Sequence, residues 1–321
     1  MLKFILKRIG VSIIVILGVT LIIFTIILLQ PGNPYQNIVK YDTDPAYLEK
    51  RLTELGYYDP IPIQYIKWIG RVLKEDLGDS IHYKAKVSDL IAERFRNTAI
   101  LALTSFVFST LISILIGVFS ASKPGTIMDH IITVICFIGV SIPGFFFGLL
   151  LIKVFGFDLN ILPPSAMTTL GENYQGMEKV IDIIKHMIMP VSVLVFTQSA
   201  SLVRYTRSSM IEVLNQDYIR TARAKGITKV KSIWGHGFRN SLISIITVLC
   251  MRLPDLLSGA LVVETVFVWP GIGSLNYEAI LNRDYNLIMG VTLTMAIIII
   301  LCNLLADILY AVVNPRIRIG E

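Results

Sequence analysis

Five stretches of the chain carry no Asp, Glu, Lys or Arg over a length that can cross a membrane. They run from Ile9 to Leu29, from Asn97 to Ser122, from Ile131 to Ile152, from Met187 to Val203 and from Leu287 to Ala306. A helix needs about 20 apolar residues to cross the hydrocarbon layer, and lipid offers no partner to an open backbone amide. The sequence therefore predicts an all-α integral membrane protein.

Composition excludes an ordinary soluble domain. Hydrophobic residues make up 54% of the 321 residues and charged residues only 16%, with a mean hydropathy of +0.68. The formal net charge of +6 would suit a nucleic-acid-binding protein. However, the basic residues lie in short segments beside the apolar stretches, as expected of cytoplasmic loops. We therefore expect lipid, and not nucleic acid, around this chain.

A sixth predicted span lies between Asn240 and Val268, although three charged residues interrupt it. Arg252 and Asp255 are three residues apart, so a helix places them on one face near the middle of the bilayer. A charge at that depth costs at least about 2–3 kcal/mol in lipid, so we expect the two to pair and to face the protein interior. Two roles stay open for them, a structural ion pair and a lining of the solute pathway. Glu264 is a candidate for an outer gate.

Basic residues in short loops predict the orientation of the six spans, because positive side chains collect on the cytoplasmic side of membrane helices. They lie before the first stretch, after the second and near the end of the chain: Lys3, Lys7, Arg8, Lys123, Arg316 and Arg318. We therefore expect six transmembrane helices with both termini in the cytoplasm. This topology divides the chain into a first transmembrane helix (residues 1–30), an extracellular folded loop (31–96) and a core of five further spans (97–321).

The predicted extracellular loop contains signals for two short helices. Asp44 suits the N-cap of the first helix. A second helix is expected after Pro60, with its apolar face formed by Ile66, Ile69, Leu73 and Leu77. Such a loop is either a structural cap over the outer end of the spans or a docking surface for an external partner, and the sequence favours neither.

The cytoplasmic loop 204–239 is basic, and Gly226 is well placed to end one helix and to turn the chain into another. The result is a helical hairpin at the inner membrane surface. Small residues near its tip, Thr221 and Ala224 among them, allow another protein to approach closely, while Arg223 and Lys225 supply charge. A basic hairpin lying among anionic lipid head groups is an equally good interpretation on physical grounds alone.

This loop resembles the cytoplasmic loop of binding-protein-dependent ABC importer permeases of the dipeptide, oligopeptide and nickel group. The segment from Asp217 to Gly226 has the group's basic form, with Asp-Tyr followed by Thr-Ala-Arg-Ala-Lys-Gly, although Arg220 occupies the place of the glutamate found across the wider superfamily. The resemblance extends along most of the chain, through Pro31–Pro34, Ser141–Phe146, Glu264–Gly273, Asn282–Tyr285 and Asn314–Arg316.

The resemblance implies a type I ABC importer permease fold in a bacterial plasma membrane, and a function in the ATP-driven uptake of dipeptides or oligopeptides. It implies as partners a paralogous permease subunit in a heterodimer, two cytoplasmic ATPase subunits and an extracellular solute-binding protein. The hairpin then couples this chain to the ATPases through the following residues: Asp217, Tyr218, Arg220, Thr221, Ala222, Arg223, Ala224, Lys225 and Gly226.

We expect this chain to have no enzyme activity, because it lacks the Gly-x-x-x-x-Gly-Lys-Ser/Thr loop that holds nucleotide phosphates. ATP and magnesium would be used by the partner subunits, and we expect no cofactor or metal on the chain itself. Uptake of nickel or a metal chelate is the alternative within the importer class. A proton-coupled secondary transporter that uses Arg252 and Asp255 is the alternative outside it, although such folds usually contain an inverted repeat, which this sequence does not reveal.

Overall fold

The computed structural model describes residues 2–29, 53, 58–253 and 260–313. Within these ranges the regular secondary structure is helical, with turns and loops between the helices and one isolated β-bridge between Asp79 and Lys86. The predicted helix at Asp44 and the predicted pair partner Asp255 lie outside the described residues.

The helices are α1 (Leu2–Leu29), α2 (Ile61–Val72), α3 (Val87–Ser122), α4 (Ile127–Ser141), α5 (Gly144–Leu151), α6 (Gly176–Leu214), α7 (Asp217–Ala224), α8 (Lys229–Lys231), α9 (Arg239–Met251), α10 (Ala260–Val266), α11 (Ile272–Leu281) and α12 (Tyr285–Val313), with π-helical segments at Ile152–Asp158 and Ser232–Phe238.

Four helical segments in the described part of the chain are long and apolar enough to cross a membrane. They are Arg8–Leu29, Val87–Ser122, Gly176–Leu214 and Tyr285–Leu309. These segments contain the first, second, fourth and last of the five uncharged stretches, so the helical prediction is confirmed at these four places.

The third uncharged stretch is not a straight span, because α4 and α5 are bent by 101° at the break between them. Pro143 has no backbone N–H, so it cannot continue the backbone hydrogen bonds of α4. It also forces the preceding Ile142 into an extended conformation, with φ −79° and ψ 124°. The sequence Ser141-Ile142-Pro143-Gly144 predicts a weak point in the third span, because proline interrupts helical hydrogen bonding, and the bend confirms this prediction. If α4 and α5 together form one crossing of the membrane, the described residues contain five candidate spans.

The predicted span at residues 240–268 contains α9 and α10, with six residues between them, 254–259, outside the described ranges. The total of six spans therefore remains a prediction.

The chain forms two compact units, of which the first comprises residues 1–96 and 274–301. In this unit α2 packs on α1 through aromatic residues. The Tyr65 ring lies edge-on to Phe24, with centroids 5.5 Å apart, and its hydroxyl forms a 2.8 Å hydrogen bond with Thr20. Trp68 is buried next to Tyr65. The helix predicted after Pro60 is confirmed, and the extracellular position of this segment stays a prediction.

The predicted apolar face at α2 is only partly buried: Ile69 and Leu77 are half-buried, and the other two residues are exposed. Ile66 is 68% exposed and Leu73, just after the helix, is 80% exposed, while Tyr65 and Trp68 occupy the buried side. Aromatic side chains supply a larger contact area than Ile or Leu, and the Tyr hydroxyl also finds a polar partner in Thr20.

Asp284 holds a loop of the first unit onto the start of α12. This carboxylate is fully buried, and it accepts hydrogen bonds from the Ser80 hydroxyl at 2.6 Å, the His82 backbone N–H at 3.0 Å and the Leu287 backbone N–H at 3.2 Å. The last of these bonds caps α12. Nearby, the Tyr83 hydroxyl donates to Glu278, and burial together with this carboxylate raises the pKa of Tyr83 to about 12, so the phenol keeps its proton at neutral pH.

The second unit comprises residues 97–273 and 302–321, and close helix contacts hold it together. A Cβ atom added at Gly117 of α3 would lie 2.7 Å from the Thr206 side chain of α6, and one added at Gly139 of α4 would lie 3.0 Å from Ala200. Small residues let helix backbones approach at these points. A buried apolar cluster joins α3 and α6 to α10 and to the turn after it: Leu101, Met187, Met189, Val193, Leu194, Val263, Phe267 and Trp269.

Replacing Asp284 by alanine should destabilise the protein by about 3 kcal/mol, because the buried donors of Ser80, His82 and Leu287 lose their acceptor. Thermal unfolding of the detergent-solubilised protein measures the effect. Asp79→Ala, at an exposed position of the same loop, is the matched control and should change the unfolding temperature little. Equal effects of the two substitutions would contradict the anchoring role of Asp284.

Candidate functional site

The predicted coupling segment forms a separate short helix. α6 ends at Leu214, and α7 begins three residues later at Asp217. Asp217 lies in the first turn and Arg223 in the last turn, which matches the polarity of the helix dipole. Gly226 follows with φ +85°, and the Ile227 N–H reaches back to the Ala222 carbonyl at 3.3 Å. The predicted hairpin with its turn at Gly226 is confirmed.

One side chain attaches α7 to the rest of the protein. Ile219 is fully buried, whereas Tyr218, Arg220 and Arg223 are exposed. The helix packs on the π-helical segment Ser232–Phe238. Most of the predicted coupling residues therefore form an outward-facing basic surface: Asp217, Tyr218, Arg220, Thr221, Arg223, Ala224, Lys225 and Gly226 are exposed, and Ala222 is half-buried.

The segment before α7 is held by a buried ion pair. The Arg207 guanidinium donates from Nε to Asp129 Oδ1 and from Nη2 to Asp129 Oδ2, each at 2.7 Å. The Ser120 hydroxyl and the Gly125 backbone N–H donate to the same carboxylate, whose residue is only 2% exposed. A fork of two parallel hydrogen bonds fixes orientation as well as distance. This pair therefore ties α4 and the turn before it to the last turns of α6.

Sequence reasoning missed the pair. A signal was present, since Asp129 lies just before one uncharged stretch and Arg207 just after another. The predicted topology puts both on the cytoplasmic side, but it does not show that these two stretches are neighbours.

Arg252 follows the last residue of α9, and its guanidinium reaches α6. Nη1 donates to the Gln198 backbone carbonyl at 2.9 Å, and Nη2 donates to the Ser201 hydroxyl. The predicted ion pair with Asp255 stays a prediction, because Asp255 lies outside the described residues. The observed contacts connect this charge to a second helix.

Glu264 is enclosed by the turn that follows α10. One carboxylate oxygen accepts from the Thr98 hydroxyl at 2.6 Å and the other from the Gly273 backbone N–H at 2.8 Å, and the residue is completely buried. A Cβ atom added at Gly271 would lie 2.2 Å from the carboxylate, so a side chain there would displace it. If Glu264 belongs to an outer gate, its part is to hold this turn in shape.

The Trp269-Pro270 turn makes two further hydrogen bonds with α3. The Asn97 amide donates to the Pro270 carbonyl at 2.8 Å, and the Trp269 indole N–H donates to the Asn97 carbonyl at 3.1 Å. These hydrogen bonds and the buried Trp269 side chain hold the turn against α3. In the ranges that the structure describes, no group of three or more His, Cys, Asp or Glu side chains is arranged to hold a metal ion.

The long apolar helices of this chain are typical of a multi-pass membrane protein. Residues 113–319 match the family described as binding-protein-dependent transport system inner membrane component, and residues 1–102 match the N-terminal membrane component of the same transport systems. The chain belongs to this family, and it is therefore a multi-pass component of the inner membrane.

The chain is similar over its whole length to curated transport permeases. It is 41% identical to the oligopeptide transport system permease protein AppB of Bacillus subtilis, over 99% of this chain and 100% of the relative. It is 38% identical to the dipeptide transport system permease protein DppB of Escherichia coli K12, over 99% of each chain. It is 36% identical to the di/tripeptide transport system permease protein DppB of Pseudomonas aeruginosa, also over 99% of each.

Replacing Arg207 by alanine should destabilise the protein by about 3 kcal/mol or more, because Asp129 is left charged and buried. The double variant Asp129→Ala/Arg207→Ala should unfold at a higher temperature than the single Arg207→Ala variant. Thermal unfolding in detergent measures both. Arg220→Ala is the control, because Arg220 faces Asp217 at 3.9 Å on an exposed surface, where an ion pair contributes little. Strictly additive effects at Asp129 and Arg207 would contradict the pair.

Proposed function

We propose that this chain is a permease subunit of an ATP-driven importer that takes up dipeptides or oligopeptides. The observation that carries the proposal is the basic helix α7, which presents its residues to the surroundings and is fixed by the single buried side chain of Ile219. The names of the full-length relatives support peptides as the solutes. They favour peptide over nickel or a metal chelate.

In the proposed mechanism, an ATPase subunit grips α7 in a groove on its surface. Closure of the ATPase pair around ATP and magnesium then moves α7, which is joined to α6 by the short connection at residues 215–216 and packed on the π-helical segment before α9. Such coupling requires an element that can occupy two positions. Both the nucleotide site of the ATPases and the solute pathway must shift the balance between these positions. The same movement reaches α4 through Asp129 and Arg207.

The proposed assembly contains this chain, a paralogous permease, two cytoplasmic ATPases and an external solute-binding protein. The family is that of binding-protein-dependent systems, which supports the external partner. The proposal includes six spans with both termini in the cytoplasm, so that α7 faces the ATPases. Copurification tests this assembly: the importer should retain ATPase chains in mild detergent, whereas the proton-coupled carrier considered as an alternative from the sequence would not.

Substitutions in α7 should separate ATP hydrolysis from uptake. Gly226→Val forces a β-branched residue to φ +85°, which costs roughly 1–2 kcal/mol and distorts the hairpin tip. Arg223→Glu/Ala224→Glu reverses the charge of the exposed surface. In proteoliposomes that contain the whole importer, each variant should lower peptide uptake by about tenfold or more, while the permease is still inserted.

A matched control is Lys179→Glu, which reverses an exposed charge at the N-terminal end of α6, far along the helix from α7. This control should transport at nearly the parent rate. Normal uptake by both α7 variants would remove the basis for the coupling assignment.

A further inference from the structure

An apolar groove of about 380 Å³, the α3–α4 groove, lies in the second unit where α3, α4 and α6 meet. Its walls on α3 and α4 are formed by Ile112, Ile116, Ile132, Ile135 and Cys136. Three of these residues, Ile112, Ile116 and Ile135, are exposed, so the groove is open on its outer side. Both α3 and α6 are long and apolar enough to cross the membrane, which places the groove within the depth of the bilayer.

The polar side chains in the described lining of the α3–α4 groove are already hydrogen-bonded. The Ser192 hydroxyl donates to the Ile188 carbonyl at 2.6 Å, and the Ser199 hydroxyl donates to the Ser109 carbonyl at 3.4 Å. A peptide would have to bury its amide groups here without partners, which costs free energy. A helix is about 10–12 Å across with its side chains and is too wide for a groove of this volume. An acyl chain is apolar and flexible, and it fits.

One end of the α3–α4 groove leads to a positive charge. Ile112, Ile116, Phe119 and Lys123 are spaced by three or four residues, which places them along one face of α3 and its extension. Lys123 follows the last residue of α3, and its ammonium nitrogen lies 5.7 Å from the centre of the Phe119 ring. The opposite wall continues on α4 through the exposed Met128. A chain that leaves the groove over Phe119 therefore ends beside a cation.

The turn that carries Lys123 is fixed, and its charge is not neutralised within the described part of the chain. The Lys123 backbone N–H donates to the Ser120 carbonyl at 3.3 Å, and its own carbonyl accepts from the Thr126 hydroxyl at 2.8 Å. The next acid along the chain, Asp129, is paired with Arg207. The Lys123 side chain is exposed, so its ammonium can bind an anion at the membrane surface.

Aromatic rings close the other end of the α3–α4 groove. Phe147 of α5 and Phe196 of α6 both line it, with ring centroids 4.7 Å apart. Phe147 lies there because α5 turns by 101° from α4 at the break between them. Since α6 runs parallel to α3, Phe196 lies towards the starts of both helices and away from Lys123. The groove is therefore closed at one end and bounded by a cation at the other.

We propose that the α3–α4 groove holds one acyl chain of an anionic phospholipid and that the Lys123 ammonium binds its phosphate. The inference goes beyond peptide import, since it concerns the lipid around the protein and not the solute. In the proposed topology this lipid belongs to the cytoplasmic leaflet. Lipid tails elsewhere in the bilayer are as apolar as the groove, so the acyl chain alone selects no lipid. The head group does, because a lysine at the membrane surface attracts net negative charge.

The first experiment locates the lipid. The full-length chain is purified in mild detergent with the subunits that it retains, and it is mixed with a phosphatidylglycerol that carries a diazirine near the end of one acyl chain. Irradiation attaches this lipid to the residues that it touches, and peptide mass spectrometry identifies them. We expect attachment in the groove, at residues such as Ile116 and Ile135. Attachment spread evenly over the exposed apolar residues of α3–α6, or attachment to a neighbouring subunit and not to the groove, would overturn the proposal.

The second experiment tests the head group. Lys123→Gln should lower attachment in the groove by about fivefold, whereas Lys123→Arg keeps the charge and should keep most of the attachment. Unlabelled phosphatidylglycerol should compete more strongly than phosphatidylcholine with the same acyl chains, because the choline group cancels the net charge. Inorganic phosphate should not compete, since it lacks the acyl chain. Equal competition by phosphatidylcholine, or competition by inorganic phosphate, would contradict the proposed site.

Arg204→Gln is the matched control for Lys123→Gln. Arg204 is also an exposed cation packed on an aromatic ring, with its guanidinium carbon 4.6 Å from the centre of Phe137. Phe137 follows Cys136 and so points about 100° away from it around α4, which assigns Arg204 to a different face of that helix. Attachment in the groove should therefore change little in Arg204→Gln. An equal fall in both variants would show general attraction of anionic lipid to a basic surface and would remove the case for a site at Lys123.

Discussion

The close approach of α3 to α6 is the contact on which the second unit depends. Lipid tails are as apolar as Leu side chains, so burial of apolar surface does not drive helices together within a membrane, and close packing and polar contacts must do so. Gly117 leaves no space for a side chain against Thr206, and the Ser113 hydroxyl lies 3.4 Å from the Ser199 carbonyl. Larger residues along this seam would separate the two helices.

Because of that packing, we expect α6 to connect two regions rigidly, the ion pair near α7 and the groups that contact Arg252. Arg207 near its C-terminal end is paired with Asp129, and Ser201 is one of the groups that hold Arg252. Six residues of helix separate Ser201 from Arg207, a distance of about 9 Å along the axis. In the proposed importer, a displacement of α7 by an ATPase would therefore act on the same helix that contacts Arg252. The proposed coupling needs no long chain of contacts, since α6 carries both the ion pair and the contacts with Arg252.

Local signals predicted some of these features and could not predict others. The length of the uncharged stretches indicated the long helices, Pro143 indicated the break after α4, and Gly226 indicated the hairpin turn, because each depends on residues adjacent in sequence. The Asp129–Arg207 pair and the enclosure of Glu264 depend on which helices are neighbours, and periodicity carries no such information. Single exposed apolar side chains such as Ile66 are common on protein surfaces, so an apolar stripe does not by itself identify a buried face.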